Sequence, residues 1–241
     1  MPRTVRRVVD LSVPLDDHTP VYPGDPPVRL VPAATVARDG YNLLAVHLGS
    51  QSGTHCDAPY HFLPDGPRVD ELDLRLFTGP GVFVDVRGLA DRAAIAVADV
   101  APYLQRVGPG TIVVLHTGWS AHHRTPRAAS SPRSPRLAAS APRTYFGDHP
   151  YLGADACCAL LERGVRTIGL DTPNIDETPD SAHPDSGWPC HRMIAAAGGV
   201  IVENLTNLAA VDFPDPFLSV LPLRLTGADG APVRAVALEL A

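Results

Sequence analysis

The sequence predicts a mixed α/β fold, and three observations carry that expectation. Short runs rich in Val, Ile and Leu recur along the chain, each at strand length. A total of 26 Pro and 20 Gly punctuate them. Only three stretches carry a helical pattern with a start and a stop, and they alternate with the apolar runs.

Val5 to Leu11 reads as the first strand. The segment from Pro20 to Pro27 then reads as a stiff turn, because each Pro fixes φ and removes a backbone donor. Residues 41–48 and 81–86 follow as strands, the second of them buried, and 111–116, 166–170, 199–202 and 233–240 continue the pattern. The first helix is expected over Asp99 to Val107, with Asp99 as its cap and Pro102 in its first turn. The second spans Ala154 to Arg163 and closes on Gly164, and the third spans Cys190 to Ala197 and closes on Gly198 and Gly199. No internal repeat is present, so residues 1–241 are expected to form one domain. Residues 124–143 hold five Arg, four Pro, many Ala and Ser and no acid. That composition reads as a mobile surface insertion; a basic patch gripping an anionic group is the other reading.

Composition excludes several functions. The net charge is −6 and the pI about 5.9, which gives no support to a nucleic-acid surface. All 20 basic residues are Arg. Without Lys there is no Walker A lysine, no Schiff base and no Ser-Lys dyad. No apolar run reaches the roughly 20 residues of a membrane span, and the first residues lack the apolar stretch of a signal peptide. Four Cys show no paired CxxC spacing. A soluble, cytoplasmic protein with reduced thiols is the expectation.

The densest polar cluster runs from Gly49 to Phe62 and follows directly on an expected strand. If the backbone stays extended there, Gln51, His55, Asp57 and His61 share parity and project to one side. A His and an Asp two apart can begin a divalent-metal site, since imidazole suits Zn and Mn and a carboxylate can bridge two ions. A hydrogen-bonded turn accounts for the same residues. Cys56 alternates to the other face and is expected to be a packed thiol. Farther along, Glu203 follows Val200-Ile201-Val202 directly, and a carboxylate there is costly to desolvate unless it meets water or a cation. That cation could be a metal, or it could be Arg192 or Arg224.

The run Gly53-Thr54-His55-Cys56-Asp57-Ala58-Pro59-Tyr60-His61-Phe62 resembles the signature of the cyclase family that includes bacterial kynurenine formamidases and isatin hydrolases. The resemblance extends to Asp10-Leu11-Ser12, Pro20 to Asp25, Thr117-Gly118-Trp119, Gly169 to Asp176, His191 and Glu203-Asn204-Leu205. It implies a swivelling β/β/α fold with a mixed, barrel-like sheet and a site for one or two divalent ions, Zn or Mn. His55, Asp57, His191 and Glu203 would then be ligands, with Asp57 able to bridge. His61 would be the acid/base residue beside a metal-activated water. The sequence departs from the motif at Gln51, which stands where the family has His. A Gln oxygen is a weaker, harder ligand, so the departure points to one ion, a preference for Mn, or a changed chemistry. His47, of the same parity, could compensate or could be a core or sheet-face histidine.

Tyr22, Phe62 and Trp188 are candidates for walls against a flat substrate. His18 reads as a surface-turn residue, His122 and His123 as solvated, and His183 as part of a lid over 176–187. The resemblance implies a metal-dependent hydrolase of an aryl or cyclic amide or ester acting on a small molecule. Ring closure or dehydration, and a non-catalytic binding protein, are the other readings. A homodimer or homotetramer is implied as well.

Overall fold

A computed structural model describes residues 4–123, 144–184 and 187–241; the insertion expected over 124–143 lies outside the described residues. The strands in chain order are β1 (Val5–Asp10), β2 (Arg29–Ala34), β3 (Leu43–His47), β4 (His55–Asp57), β5 (Thr78–Asp85), β6 (Ala94–Ile95), β7 (Ile112–His116), β8 (Tyr151–Leu152), β9 (Thr167–Leu170), β10 (Val200–Glu203), β11 (Phe217–Ser219), β12 (Gly230–Pro232) and β13 (Val236–Leu240). The helices are α1 (Val36–Asp39), α2 (Val97–Val100), α3 (Ala154–Glu162) and α4 (Pro189–Ala196).

Nine strands form one curled, half-barrel sheet in the order β1-β13-β11-β5-β7-β9-β10-β4-β12. Its centre, β5-β7-β9-β10, is parallel. Both flanks are antiparallel. The parallel centre is covered on both faces, which is why its strands read as unbroken apolar runs. In β7, Ile112 and Val114 join Phe77, Leu205 and Leu218 in one core, while Val113 and Leu115 join Leu160, Ile168 and Ile194 in the other. Strand alternation thus assigns each residue of one strand to one of two cores. The expected α/β class with a barrel-like sheet is the fold observed.

The expected strands occur within a few residues of their predicted limits. The first helix is different. Its cap is Ala96, and Asp99 lies inside, where its carboxylate accepts the Ala96 N–H at 2.8 Å. The α-helix stops at Val100 and continues as a 3₁₀ turn over Ala101–Tyr103, because Pro102 cannot donate to the preceding turn. Strands β2, β4, β6, β8, β11 and β12 were not expected. β2 and β3 pair only with each other, as a ribbon apart from the main sheet. β2 tolerates Pro32 because a two-stranded ribbon leaves one edge of each strand free of ladder bonds.

Candidate metal centre

The polar motif is not one extended strand. β3 ends at His47, residues 50–54 turn, β4 covers only His55–Asp57, and Pro59–His61 form a 3₁₀ turn. Parity therefore relates His55 to Asp57 but not Gln51 or His61 to either. The turn depends on Gly53, whose φ is +65° and where a Cβ would come within 2.5 Å of Leu15. Cys56 alternates into the apolar core, where burial pushes its thiol up to about 12.

β4 lies beside β10, with Glu203 directly opposite His55. That register brings the two sequence clusters together. His55 Nε2 stands 3.5 Å from Asp57 Oδ1 and 3.5 Å from Glu203 Oε2. His191 Nε2, on the first turn of α4, stands 3.4 Å from Asp57 Oδ2 and 3.7 Å from Glu203 Oε1. All four side chains are buried. Each carboxylate therefore turns one oxygen to each imidazole. These separations are long for hydrogen bonds, and ligand atoms about 2.1 Å from a tetrahedral ion would stand roughly 3.4 Å apart. Among the described residues, both Asp57 oxygens are buried without a hydrogen-bond partner. A buried carboxylate with neither donor nor water is costly, so the donor set fits a divalent cation. Glu203 meets these imidazoles and the Ile175 N–H at 2.7 Å, where Arg192 or Arg224 was the competing expectation.

The remaining ring nitrogens are occupied. His55 Nδ1 lies 2.8 Å from the Gly53 carbonyl, and His191 Nδ1 lies 2.7 Å from Asp176 Oδ2. Asp176 also accepts the Cys190 and His191 backbone N–H groups at 2.9 and 3.0 Å. Such outer partners fix the tautomer that leaves Nε2 free for a metal. Burial opposes a charged imidazole at His55, but Glu203 and Asp57 outweigh it and hold the ring at about 9. The same contest, with Asp176 and Asp57 as the winning carboxylates, holds His191 at about 10.

Above this floor opens a cavity of about 390 Å³. It is lined by all nine residues singled out from the sequence: Tyr22, Gln51, His55, Asp57, His61, Phe62, Trp188, His191 and Glu203. Phe62 stacks on His191 with ring centroids 4.3 Å apart and approaches Trp188 at 5.9 Å. Trp188 adopts a left-handed backbone (φ +57°), as does Asn204 on the opposite wall. Arg92, Asn207 and Asp215 share that conformation away from the cavity, and a bulky residue such as Trp188 held there costs about 1–3 kcal/mol.

Sequence reasoning missed Phe146, which meets Tyr22 edge-on at 5.8 Å, and it missed the roles of Asp176 and Asp229. Asp229 Oδ2 lies 2.9 Å from His61 Nδ1 and accepts Gln51 Nε2 at 2.8 Å, while Oδ1 accepts the Ser50 hydroxyl at 2.8 Å. No spacing signal links residue 229 to residue 61. His18, His47, His122, His123 and His183 do not line the cavity. His47 and His18 are exposed, and His183 pairs with Asp180 at the surface, 3.1 Å away. His122 and His123 are half-buried rather than solvated, stacked on Trp119 at 4.4 Å and edge-on to Tyr145 at 5.3 Å. Asp176 and Thr178, placed in the expected lid, are buried fixtures.

A buried His/Asp/Glu cluster able to hold a metal ion, with Glu203 at the carboxyl end of the parallel strand β10, lies beneath an aromatic-walled cavity, the arrangement of a small-molecule hydrolase. A family model described as "Putative cyclase" matches residues 9–177, and the chain belongs to that family. It is 31% identical to a kynurenine formamidase of Bacillus cytotoxicus over 229 residues, covering 95% of each protein. Isatin hydrolase A of Ralstonia solanacearum has the same fold, with 26% identity, a TM-score of 0.78, and coverage of 96% of this chain and 91% of that one. An isatin hydrolase bound to the product analogue thioisatinate shares the fold at a TM-score of 0.80 and 21% identity, over 97% and 92% of the two chains.

Proposed function

We propose that this chain hydrolyses the amide bond of an aryl formamide or an aryl-fused lactam, with a divalent ion held by His55, Asp57, His191 and Glu203. The observation that carries the reading is the convergence of two buried imidazoles on the carboxylates of Asp57 and Glu203, with Asp57's oxygens unpartnered among the described residues, at the floor of an aromatic cavity. Two imidazoles and two carboxylates suit Zn or Mn. Gln51 commits its nitrogen to Asp229, so its buried, unpartnered Oε1 would be a further, weaker donor. When bound, such an ion polarises the scissile carbonyl and lowers the pKa of water toward neutrality.

The chain's own groups supply the rest. Phe62, Trp188, Tyr22 and Phe146 would hold a flat ring by stacking and exclude bulk water around it. His61 has Nδ1 engaged by Asp229, which leaves Nε2 to take a proton from the attacking water and return it to the departing nitrogen. The test is elemental analysis of protein purified without chelator, followed by assays on N-formylkynurenine, formanilide, isatin and simple lactones. About one or two equivalents of Zn or Mn and turnover of one of these amides are expected. No bound metal after incubation with Zn and Mn would overturn the reading.

The β2–β3 ribbon supports a homo-oligomer. Its cross-strand pairs Leu30/Val46 and Pro32/Leu44 make one face wholly apolar, and Leu44 and Val46 are 48% and 53% exposed. A two-stranded ribbon is marginal alone, and this one springs from Pro26 and Gly49 on the cavity rim. A second copy of the chain would cover it. Sedimentation should give a mass of at least two chains, reduced to one by Leu44→Asp with Val46→Asp; an unchanged mass would contradict this. Four free thiols support a cytoplasmic setting.

A further inference from the structure

We propose that Asp229 is the positioning residue of His61, and that Ser50 and Gln51 serve that aspartate. The inference rests on the hydrolytic reading above and adds a group to it. Asp229 is 168 residues from His61 in sequence, yet every side-chain donor to its carboxylate comes from the motif segment 50–61. Its backbone is already secured, since Asp229 O accepts the Ala58 N–H at 2.8 Å and Gly230 begins β12. The fold at this edge is therefore held by main-chain bonds, and the carboxylate is free for another task.

Its geometry defines that task. Oδ2 receives both Gln51 Nε2 and the His61 ring, at 2.8 and 2.9 Å, and Oδ1 receives Ser50 Oγ. A carboxylate accepts only, so the proton of neutral His61 must sit on Nδ1, and Nε2 carries the lone pair that faces the cavity. The same requirement fixes the Gln51 amide, because turning its oxygen toward Asp229 would set two acceptors together. Gln51, at the motif's ligand position, is thereby drawn into the alignment of the acid/base group. Ser50 prevents the carboxylate from rotating away. The arrangement keeps the imidazole in one tautomer and one orientation, as a buried aspartate does for the histidine of a hydrolytic triad.

The experiment compares Asp229→Asn with the unaltered protein, both zinc-loaded, by three readouts. An Asn offers an amide that can donate as well as accept, so it no longer enforces the Nδ1–H tautomer. The imidazole ¹⁵N signals of His61, assigned by difference against His61→Gln, should change from an Nδ1–H pattern to the Nε2–H form or a mixture. kcat should fall by about 100-fold or more, with KM and zinc content unchanged. Ser50→Ala, which removes one of three donors, should lower kcat by a smaller factor in the same direction and serves if Asp229→Asn does not fold. The proposal is overturned if the His61 signals are unchanged, if kcat moves by less than about threefold, or if lost activity merely tracks lost zinc. The tautomer readout needs neither substrate nor turnover, so in a protein inactive on every amide tested the hydrolytic reading would fail while the alignment of His61 by Asp229 would still be decided by the His61 signals.

Discussion

Two histidine–aspartate pairs flank one cavity, and they differ mainly in burial. His191 and Asp176 meet at 2.7 Å with side chains 5% and 2% exposed, whereas His61 and Asp229 meet at 2.9 Å with side chains 30% and 32% exposed. In both, the aspartate takes Nδ1 and leaves Nε2. What Nε2 then faces is different. For His191 it faces the carboxylates of Asp57 and Glu203, and the Asp57 oxygens are buried with no hydrogen-bond partner among the described residues. His61 instead lines the cavity with a side chain partly open to solvent, where on the proposed function its free Nε2 exchanges a proton. On the proposed function the same dyad serves as a ligand holder where solvent is excluded and as an acid/base group where it is not.

The comparison breaks first at the shared carboxylates. Glu203→Gln keeps an oxygen for the Ile175 N–H but removes the charge that faces both imidazoles. Zn or Mn content should drop below a tenth of that of the unaltered protein, with activity lost by about a thousandfold or more. Retained metal would show that the floor does not act as one donor set. His61→Ala should do the opposite: metal content stays, and kcat falls by about 10² to 10⁴. If metal left with His61, the division between floor and rim would be wrong.

A third buried imidazole shows what happens without a carboxylate. His149 donates Nδ1 to the Pro150 carbonyl at 2.8 Å and accepts the Thr178 hydroxyl at Nε2, 2.9 Å away. Burial holds it down at about 4. The unfolded chain therefore takes up this proton near pH 6.5 and the folded chain only near 4. Between those values the unfolded state binds more protons, so stability falls as pH drops, by about 3 kcal/mol in all for this group. Urea unfolding at pH 6.5 and pH 4 should show that loss, and His149→Gln should flatten it. Equal losses in the two proteins would mean that Thr178 reorients and accommodates the charged ring.

The residues around the cavity also mark what was legible in the sequence. His55 and Asp57 could be paired because strand alternation is local, and Glu203 stood out because a carboxylate after three apolar strand residues is costly. The parallel core was legible for the same reason: strands covered on both faces read as apolar runs. The first helix was misjudged at its start because Asp at a cap and Asp at the third position both accept a free helical N–H. Asp176 and Asp229 were illegible as partners. Their roles depend on chain crossings 15 and 168 residues long, which no periodicity encodes. Residue 229 begins an Asp-Gly pair, a pattern that by itself signals only a turn, whereas here Asp229 lies in a bend and Gly230 opens β12.

The smallest effect is also the sharpest test of the comparison. Asp176→Asn alters the buried pair as Asp229→Asn alters the exposed one. Asn can still accept from His191 Nδ1, yet it loses the charge that helps to hold that ring at about 10. It also keeps one acceptor for the two N–H groups that open α4, where Asp176 receives Cys190 and His191. Metal affinity should weaken by about 10- to 100-fold, the usual reach of an outer-shell partner. Because the defect lies in binding, excess Zn or Mn should restore kcat to near its unaltered value. Rescue by metal at Asp176, against no rescue at Asp229, would separate a ligand holder from an aligner of the acid/base group. Failure of rescue at both would instead mean that burial does not divide their work, and that the two aspartates act on one coupled network through Asp57.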